Sequence, residues 1–354
     1  MAKKKYSIVG VMSGTSLDGI DLVYAVFHFK RRWHFDVVNT VTIPYTNEWR
    51  YILEGLVGYS TKELHEIDKR YTTYLSTVIN GFIKKFDIKS VDAVCSHGHT
   101  ALHRPENKMT YQIGNQPILA KLLKQTVVCD FRVQDVALGG QGAPLVPIGD
   151  DVLFPEFDFC LNLGGFANIS TNINGERIAY DICPVNIVLN RYVSSLGFNY
   201  DDSGNIASTG QVHKQLLGAL NALDFYQEPY PKSLGLEWVK EYVYPIIDTF
   251  NLEIKDVLCT FVEHIAIQIA TEINKKDSAS VLATGGGVYN RFLLNRLKVL
   301  THSNIVVPSN AIVEFKEALI FGFLGVLRLR NEVNCLQSVT GASKNHSSGE
   351  IYYP

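Results

Sequence analysis

The sequence predicts an α/β fold built as two related halves, and three observations carry that reading. Apolar strand-like segments run into glycine turns in each half, at 7–12, 157–163 and 280–283. Amphipathic segments of helical period stand between them. At 354 residues the chain is too long for one typical core and suits two packed domains.

The elements follow in order. Residues 7–12 form a strand, a polar glycine turn follows, and 20–27 return as a second strand, a β-hairpin that opens a domain. Ser60 and Glu63 have capping-box spacing, and Leu64, Ile67, Tyr71, Leu75, Val78 and Phe82 continue at helical intervals. Residues 91–95 read as a short buried strand ending at the polar cluster Ser96-His97-Gly98-His99-Thr100. A helix over 118–124 leads to a strand at 127–129. The glycines at 139, 140 and 142 mark an inter-domain crossing or a loop near a ligand. A strand ending at Leu163 turns at Gly164-Gly165. Helices are expected over 185–195, 213–223, 258–273 and 315–328, with a strand at 280–283 running into Thr284-Gly285-Gly286-Gly287.

Composition excludes several classes. The apolar fraction is 46% and the charged fraction 19%, a folded enzyme-sized profile. A net charge of −2 gives no electrostatic case for nucleic acid or anionic membrane, and Lys3-Lys4-Lys5 reads as a solvated edge. The opening apolar stretch breaks too early for a signal peptide, and no window reaches the ~18 apolar residues that span a bilayer. The six cysteines are scattered without a CxxC pair, which fits a reduced, cytoplasmic protein.

Three glycine turns carry the chemistry. In Gly10–Asp21 (GVMSGTSLDGID), small residues let backbone N–H groups approach an anion, with Gly14, Thr15, Ser16 and Gly19 at the turn. Asp18 and Asp21 can hold magnesium through water, as hard oxygen ligands do. The second turn holds Gly164, Gly165 and Asn168; the third holds Gly285, Gly286, Gly287 and Asn290 between a strand and a helix. Singly, such turns are usually just tight turns. Their order and spacing match the layout of actin/hexokinase-like kinases, with two related ribonuclease H-like domains and an ATP cleft between them. The expected division is 1–131 with about 329–354 against 132–328. GxxxxGK[ST] is absent, which excludes a P-loop, and no complete GxGxxG follows a strand, which argues against a Rossmann site.

The same segments resemble the anhydro-N-acetylmuramic acid kinases, in order from Val9 to the C-terminus. The resemblance rests on GTSLDGID, SHGHTALHRP, TYQIGN, DFRVQDVALGGQGAPLVP, NLGGFANIS, PKSLGLE, EALIF and SVTGA. It implies an ATP- and magnesium-dependent opening of 1,6-anhydro-N-acetylmuramic acid by water with phosphorylation of O6, in peptidoglycan recycling. It also suggests a homodimer. Another amino-sugar kinase, or a nucleotide-binding sensor without turnover, are the rival readings.

By that resemblance Asp181 is the general base; the competing reading is a turn aspartate capping the helix after Pro184. Arg132 suits a sugar carboxylate through its bidentate fork, or else a surface or inter-domain ion pair. Glu317, at a helix start, bonds sugar hydroxyls or favours the helix N-terminus. The resemblance puts His97 and His99 at the sugar pocket; with His103 they lack helical metal-ligand spacing. Asn186 is assigned to the substrate as well. The family usually reads Asp-Thr-Gly-Pro-Gly-Asn where this chain has Asp181-Ile182-Cys183-Pro184-Val185-Asn186. The lost glycines predict a different backbone path and a reshaped sugar pocket.

Overall fold

The computed structural model describes residues 3–14 and 17–354, so Thr15 and Ser16 of the first glycine turn lie outside the described residues. The chain divides into two compact units. One runs to Phe154 and resumes over Phe315–Pro354; the other is Pro155–Glu314.

In the first unit β1 (Lys5–Ser13), β2 (Ile20–Phe29) and β3 (Trp33–Ile43) form an antiparallel meander. β4 (Ala93–Arg104) lies parallel to β1, β5 (Met109–Ile113) folds back on β4, and β6 (Val127–Cys129) lies parallel to β4. The helix Thr61–Lys85 makes the crossover that a parallel pair needs. Its capping box is formed: the Ser60 N–H donates to Glu63 Oε2 at 2.8 Å, and the Glu63 N–H returns to Ser60 Oγ at 3.4 Å. Leu64, Ile67, Tyr71, Leu75, Ile79 and Phe82 are its buried stripe.

The second unit repeats the plan. β7 (Phe159–Leu163), β8 (Phe166–Ile173) and β9 (Glu176–Pro184) are antiparallel. β10 (Ser280–Thr284) lies parallel to β7, and β11 (Asn304–Val306) parallel to β10. The helix Ile254–Ile273 precedes β10 as the crossover and buries Leu258, Phe261, Ile265 and Ile269. The strand orders are β12-β6-β4-β1-β2-β3, with β12 (Glu350–Tyr352) on the edge, and β11-β10-β7-β8-β9. Apart from β5 and β12 the two sheets share one order and one set of directions. This is the duplicated α/β fold expected from the strand–glycine repeats.

Three expectations need correcting. The strand read over 91–95 continues to Arg104, because the polar residues after Cys95 stay in register with β1 and β5. The helix read over 315–328 starts at Asn310, which puts Glu317 about two turns inside it rather than at its start. The units divide at 154/155 and 314/315, not at 131/132 and 328/329. The physical reason is local bonding. Arg132 is tied to His97 and Gly142, and the segment from Phe315 packs on β1 and β4. A Cβ on Gly10 would lie 2.2 Å from the Ala318 carbonyl oxygen, and one on Gly325 would lie 2.1 Å from Cys95 Sγ. Only glycine permits that approach.

Candidate active site

In the first unit the groups gather where β1, β4 and the loop after β6 come together. Arg132 donates from Nε to His97 Nε2 at 2.8 Å and from Nη1 to the Gly142 carbonyl at 2.6 Å. His97 Nδ1 lies 2.9 Å from the Gly98 carbonyl, which can only accept. The ring proton therefore sits on Nδ1 and Nε2 is the acceptor for Arg132. Burial and the Arg132 charge push His97 well below the usual histidine range, so it is neutral at pH 7. The guanidinium thus has a fixed orientation and retains Nη2 and part of Nη1 for a ligand. Among the described residues Arg132 makes no ion pair, and its hydrogen bonds go to a histidine and a carbonyl.

Glu317 is the group whose charge acts most strongly on this cation, ahead of Cys335 and Asp135. Lost hydration raises its pKa, Arg132 opposes that shift, and Asp21 adds to it. Asp21 accepts a bond from Thr42 Oγ1 at 2.5 Å on the neighbouring strand. Asp18 is exposed, and Asp21 half-buried. These two carboxylates fit a hard, hydrated cation by donor type. Gly19 has a structural duty instead: a Cβ there would lie 2.5 Å from the Ile43 carbonyl oxygen.

His99 is drawn into a buried hydroxyl cluster. Its Nδ1 lies 2.8 Å from Ser13 Oγ, which also meets Tyr71 Oη at 2.8 Å and Tyr45 Oη. Burial lowers His99 to about 4. Ser13 lies on β1, Tyr45 in the link after β3 and Tyr71 in the helix Thr61–Lys85, and no local pattern in the sequence announces them. His103 bonds Thr110 on β5 and takes no part. The three histidines form no metal-ligating group among the described residues.

In the second unit Asp181 lies on β9 directly across from Asn168 on β8. Its backbone N–H donates to the Lys232 carbonyl at 3.0 Å. Its Oδ2 accepts the Leu234 N–H at 2.7 Å and the Ser233 hydroxyl at 3.2 Å. Among the described residues Oδ1 takes no protein hydrogen bond. Burial raises the Asp181 pKa, and the two bonds to Oδ2 pull it back down. The capping reading fails. Val185 is the N-cap of the helix Asn186–Ser194, and no side chain caps it. Gly165 O accepts from Val185 N–H at 2.8 Å and from Ile187 N–H at 3.3 Å, and Gly164 O accepts from Asn186 N–H at 3.3 Å.

The glycines sort by need. Gly285, at φ +82°, would place a Cβ 2.6 Å from Asn162 Oδ1, and Gly287 one 2.7 Å from Leu163 Cβ. Gly286 would meet nothing within 4 Å, Gly165 nothing nearer than 3.9 Å and Gly164 nothing nearer than 3.4 Å. None of those three has positive φ. Neither backbone conformation nor packing requires glycine at these three positions. Asn290 is committed otherwise, as the N-cap of the helix Arg291–Leu300, accepting the Leu293 N–H at 2.9 Å.

Ile182, Cys183 and Val185 are buried in the second unit's core, and β9 runs through Pro184. Where the family has glycines, this chain has a packed strand end.

Each half of this duplicated α/β fold opens on an antiparallel strand pair joined through a glycine-bearing turn. The family model described as anhydro-N-acetylmuramic acid kinase matches residues 6–354, and the chain belongs to that family. It is 34% identical to the anhydro-N-acetylmuramic acid kinase of Sulfurovum sp. over 99% of this chain and 100% of that one. Identity is also 34% to the enzyme of that name from Sulfurimonas denitrificans, over 97% and 98%. Among solved structures, the activator of 2-hydroxyisocaproyl-CoA dehydratase from Clostridium difficile aligns at TM-score 0.42 and 13% identity, over 88% of this chain and 91% of that one. Among the described residues no helix is long and apolar enough to cross a membrane.

Proposed function

We propose that this chain opens 1,6-anhydro-N-acetylmuramic acid with water and transfers the γ-phosphoryl group of ATP to O6, giving N-acetylmuramic acid 6-phosphate. Family membership supports the reaction, and the state of Asp181 is the observation that carries it. One oxygen is held by Leu234 and Ser233 while the other stays open, so the carboxylate is oriented without being consumed. A general base needs that arrangement: fixed aim, a free lone pair and a pKa below the working pH. Asp181 takes a proton from the water that attacks C1. As the C1–O6 bridge breaks, O6 takes up the phosphoryl group and ADP leaves.

Arg132, held by neutral His97, reads the lactyl carboxylate through its remaining donors. Glu317 accepts from sugar hydroxyls, with Asn186 a further polar contact, and His99 braces the β1 end of the first glycine turn. The open backbone at Gly164, Gly165 and Gly286 admits the nucleotide, and Gly14 lies in the first such turn. Asp18 and Asp21 would hold magnesium through water; when bound, that ion neutralises charge on the phosphates. The six cysteines are free and buried, in keeping with a reduced cytoplasmic setting. Replacing Asp181 by Asn tests the reading: sugar phosphorylation is lost while nucleotide binding persists. Undiminished turnover would refute it.

A further inference from the structure

Outside this chemistry, the first unit holds a buried trio with no role in it. Asp135 belongs to the short helix Val133–Ala137, and Cys335 and His346 come from the C-terminal segment. Cys335 and His346 face each other across an isolated antiparallel bridge and exchange both backbone N–H···O bonds, each at 3.1 Å. Their side chains converge on Asp135: Cys335 Sγ lies 3.0 Å and His346 Nε2 3.5 Å from Asp135 Oδ1. One ligand atom from each of the three falls within 4.8 Å of the others, and all three residues are buried.

The histidine is the informative member. Its Nδ1 lies 3.1 Å from the Lys344 carbonyl and so carries a proton. Its Nε2 is buried, has no hydrogen-bond partner among the described residues, and lies 3.5 Å from Asp135 Oδ1. Buried polar atoms are normally satisfied, so a cation belongs between these groups. A second proton on the ring would serve, and so would a metal.

The donor set decides between them. A thiolate, an imidazole nitrogen and a carboxylate oxygen are the ligands zinc takes, at about 2.0–2.3 Å each. Two such bonds at a tetrahedral angle separate their donor atoms by roughly 3.3–3.8 Å, close to the 3.0 and 3.5 Å found here. Asp135 Oδ1 accepts from the Cys335 thiol at 3.0 Å and from the Thr340 hydroxyl at 2.8 Å; an imidazolium would pair with the carboxylate alone, whereas zinc engages thiolate, imidazole and carboxylate together.

We propose that Asp135, Cys335 and His346 bind one zinc ion, with a fourth position open to water. Binding releases the Cys335 thiol proton to solvent, and the thiolate takes its place on the metal. Asp135 Oδ2 also accepts the Gly142 N–H at 2.7 Å, and the Gly142 carbonyl accepts from Arg132. The ion would therefore fasten the C-terminal segment to the loop that orients Arg132.

The test uses the full chain, reduced and stripped with a chelator. Zinc is titrated against a chromogenic competitor, cobalt(II) is added in parallel, and melting is followed with and without zinc. One zinc per chain, a cobalt–thiolate charge-transfer band in the near ultraviolet, and a zinc-dependent rise in melting temperature are expected. Cys335→Ser should abolish the band, and His346→Asn should weaken zinc at least tenfold and remove the thermal rise. Should Cys335→Ser fail to fold, the wild-type band and His346→Asn decide alone. Folded wild type that takes up no stoichiometric zinc, as an imidazolium would dictate, overturns the proposal. So does zinc bound without the cobalt band, or with unchanged affinity in His346→Asn.

Discussion

Leu234 gives its backbone N–H to one oxygen of Asp181 at 2.7 Å, and Ser233 adds its hydroxyl to the same oxygen. The proposed base is thus aimed by a segment more than fifty residues further along the chain.

That bond sets a pH limb. The Ser233 hydroxyl lowers the Asp181 pKa against the raising effect of burial. The base works ionised, so activity falls as pH drops through its folded pKa. Ser233→Ala removes a lowering influence, and the acid limb of kcat/KM should move to higher pH while the melting temperature changes little. An unmoved limb would show that Ser233 does not tune the base.

The glycines give a paired prediction. Gly286→Val has open space for its side chain and should melt like the parent, yet lose nucleotide-induced thermal stabilisation. Gly287→Val drives a Cβ against Leu163 and should cost about 1–3 kcal/mol of stability. Normal stabilisation by ATP in Gly286→Val would remove that turn from the nucleotide site.

Arg132 separates sugars. Lost charge-assisted bonds cost ~1.5–3 kcal/mol. Arg132→Ala should therefore disfavour the anhydromuramic sugar over an anhydroglucosamine analogue, which lacks the lactyl group, by about ten- to a hundredfold in kcat/KM. Equal losses on both would make Arg132 a purely structural partner of His97.

Grafting Thr-Gly-Pro-Gly over Ile182-Cys183-Pro184-Val185 should destabilise the protein by more than ~3 kcal/mol, because it removes two buried side chains, Cys183 and Val185, and cuts Ile182 back to a polar threonine. Denaturant melts measure it. A graft as stable as the parent would mean that this strand end contributes no packing.

Much of the fold was legible because local signals agreed with tertiary ones. Ser60 and Glu63 announced a helix through capping chemistry that needs only four residues, and β1 and β2 through apolar runs around a turn. β3 went unread, since most of its positions are only half-buried and its pattern is diluted. The end of β4 was obscured because Ser96, His97 and His99 look like loop residues. They are buried all the same, satisfied by one another's neighbours: Gly98, Arg132 and Ser13.

For the site, the residue types were readable, whereas their partners were not. The family pattern singled out Asp181 and Arg132. Nothing near them in sequence shows that Ser233 and Leu234 hold the one and His97 the other, or that Cys335 reaches Asp135 from 200 residues away. Asn290 and Gly19 show the converse, motif positions whose visible duty is a helix cap and a close strand approach.

The most direct measurement is product analysis of the wild type and Asp181→Asn after incubation with ATP, magnesium and 1,6-anhydro-N-acetylmuramic acid. The account predicts N-acetylmuramic acid 6-phosphate in equal amount to ADP from the wild type. In the variant, turnover should fall by ~10²–10⁴-fold with ATP affinity nearly unchanged. ADP without sugar phosphate from the wild type, or ordinary turnover from Asp181→Asn, would contradict it.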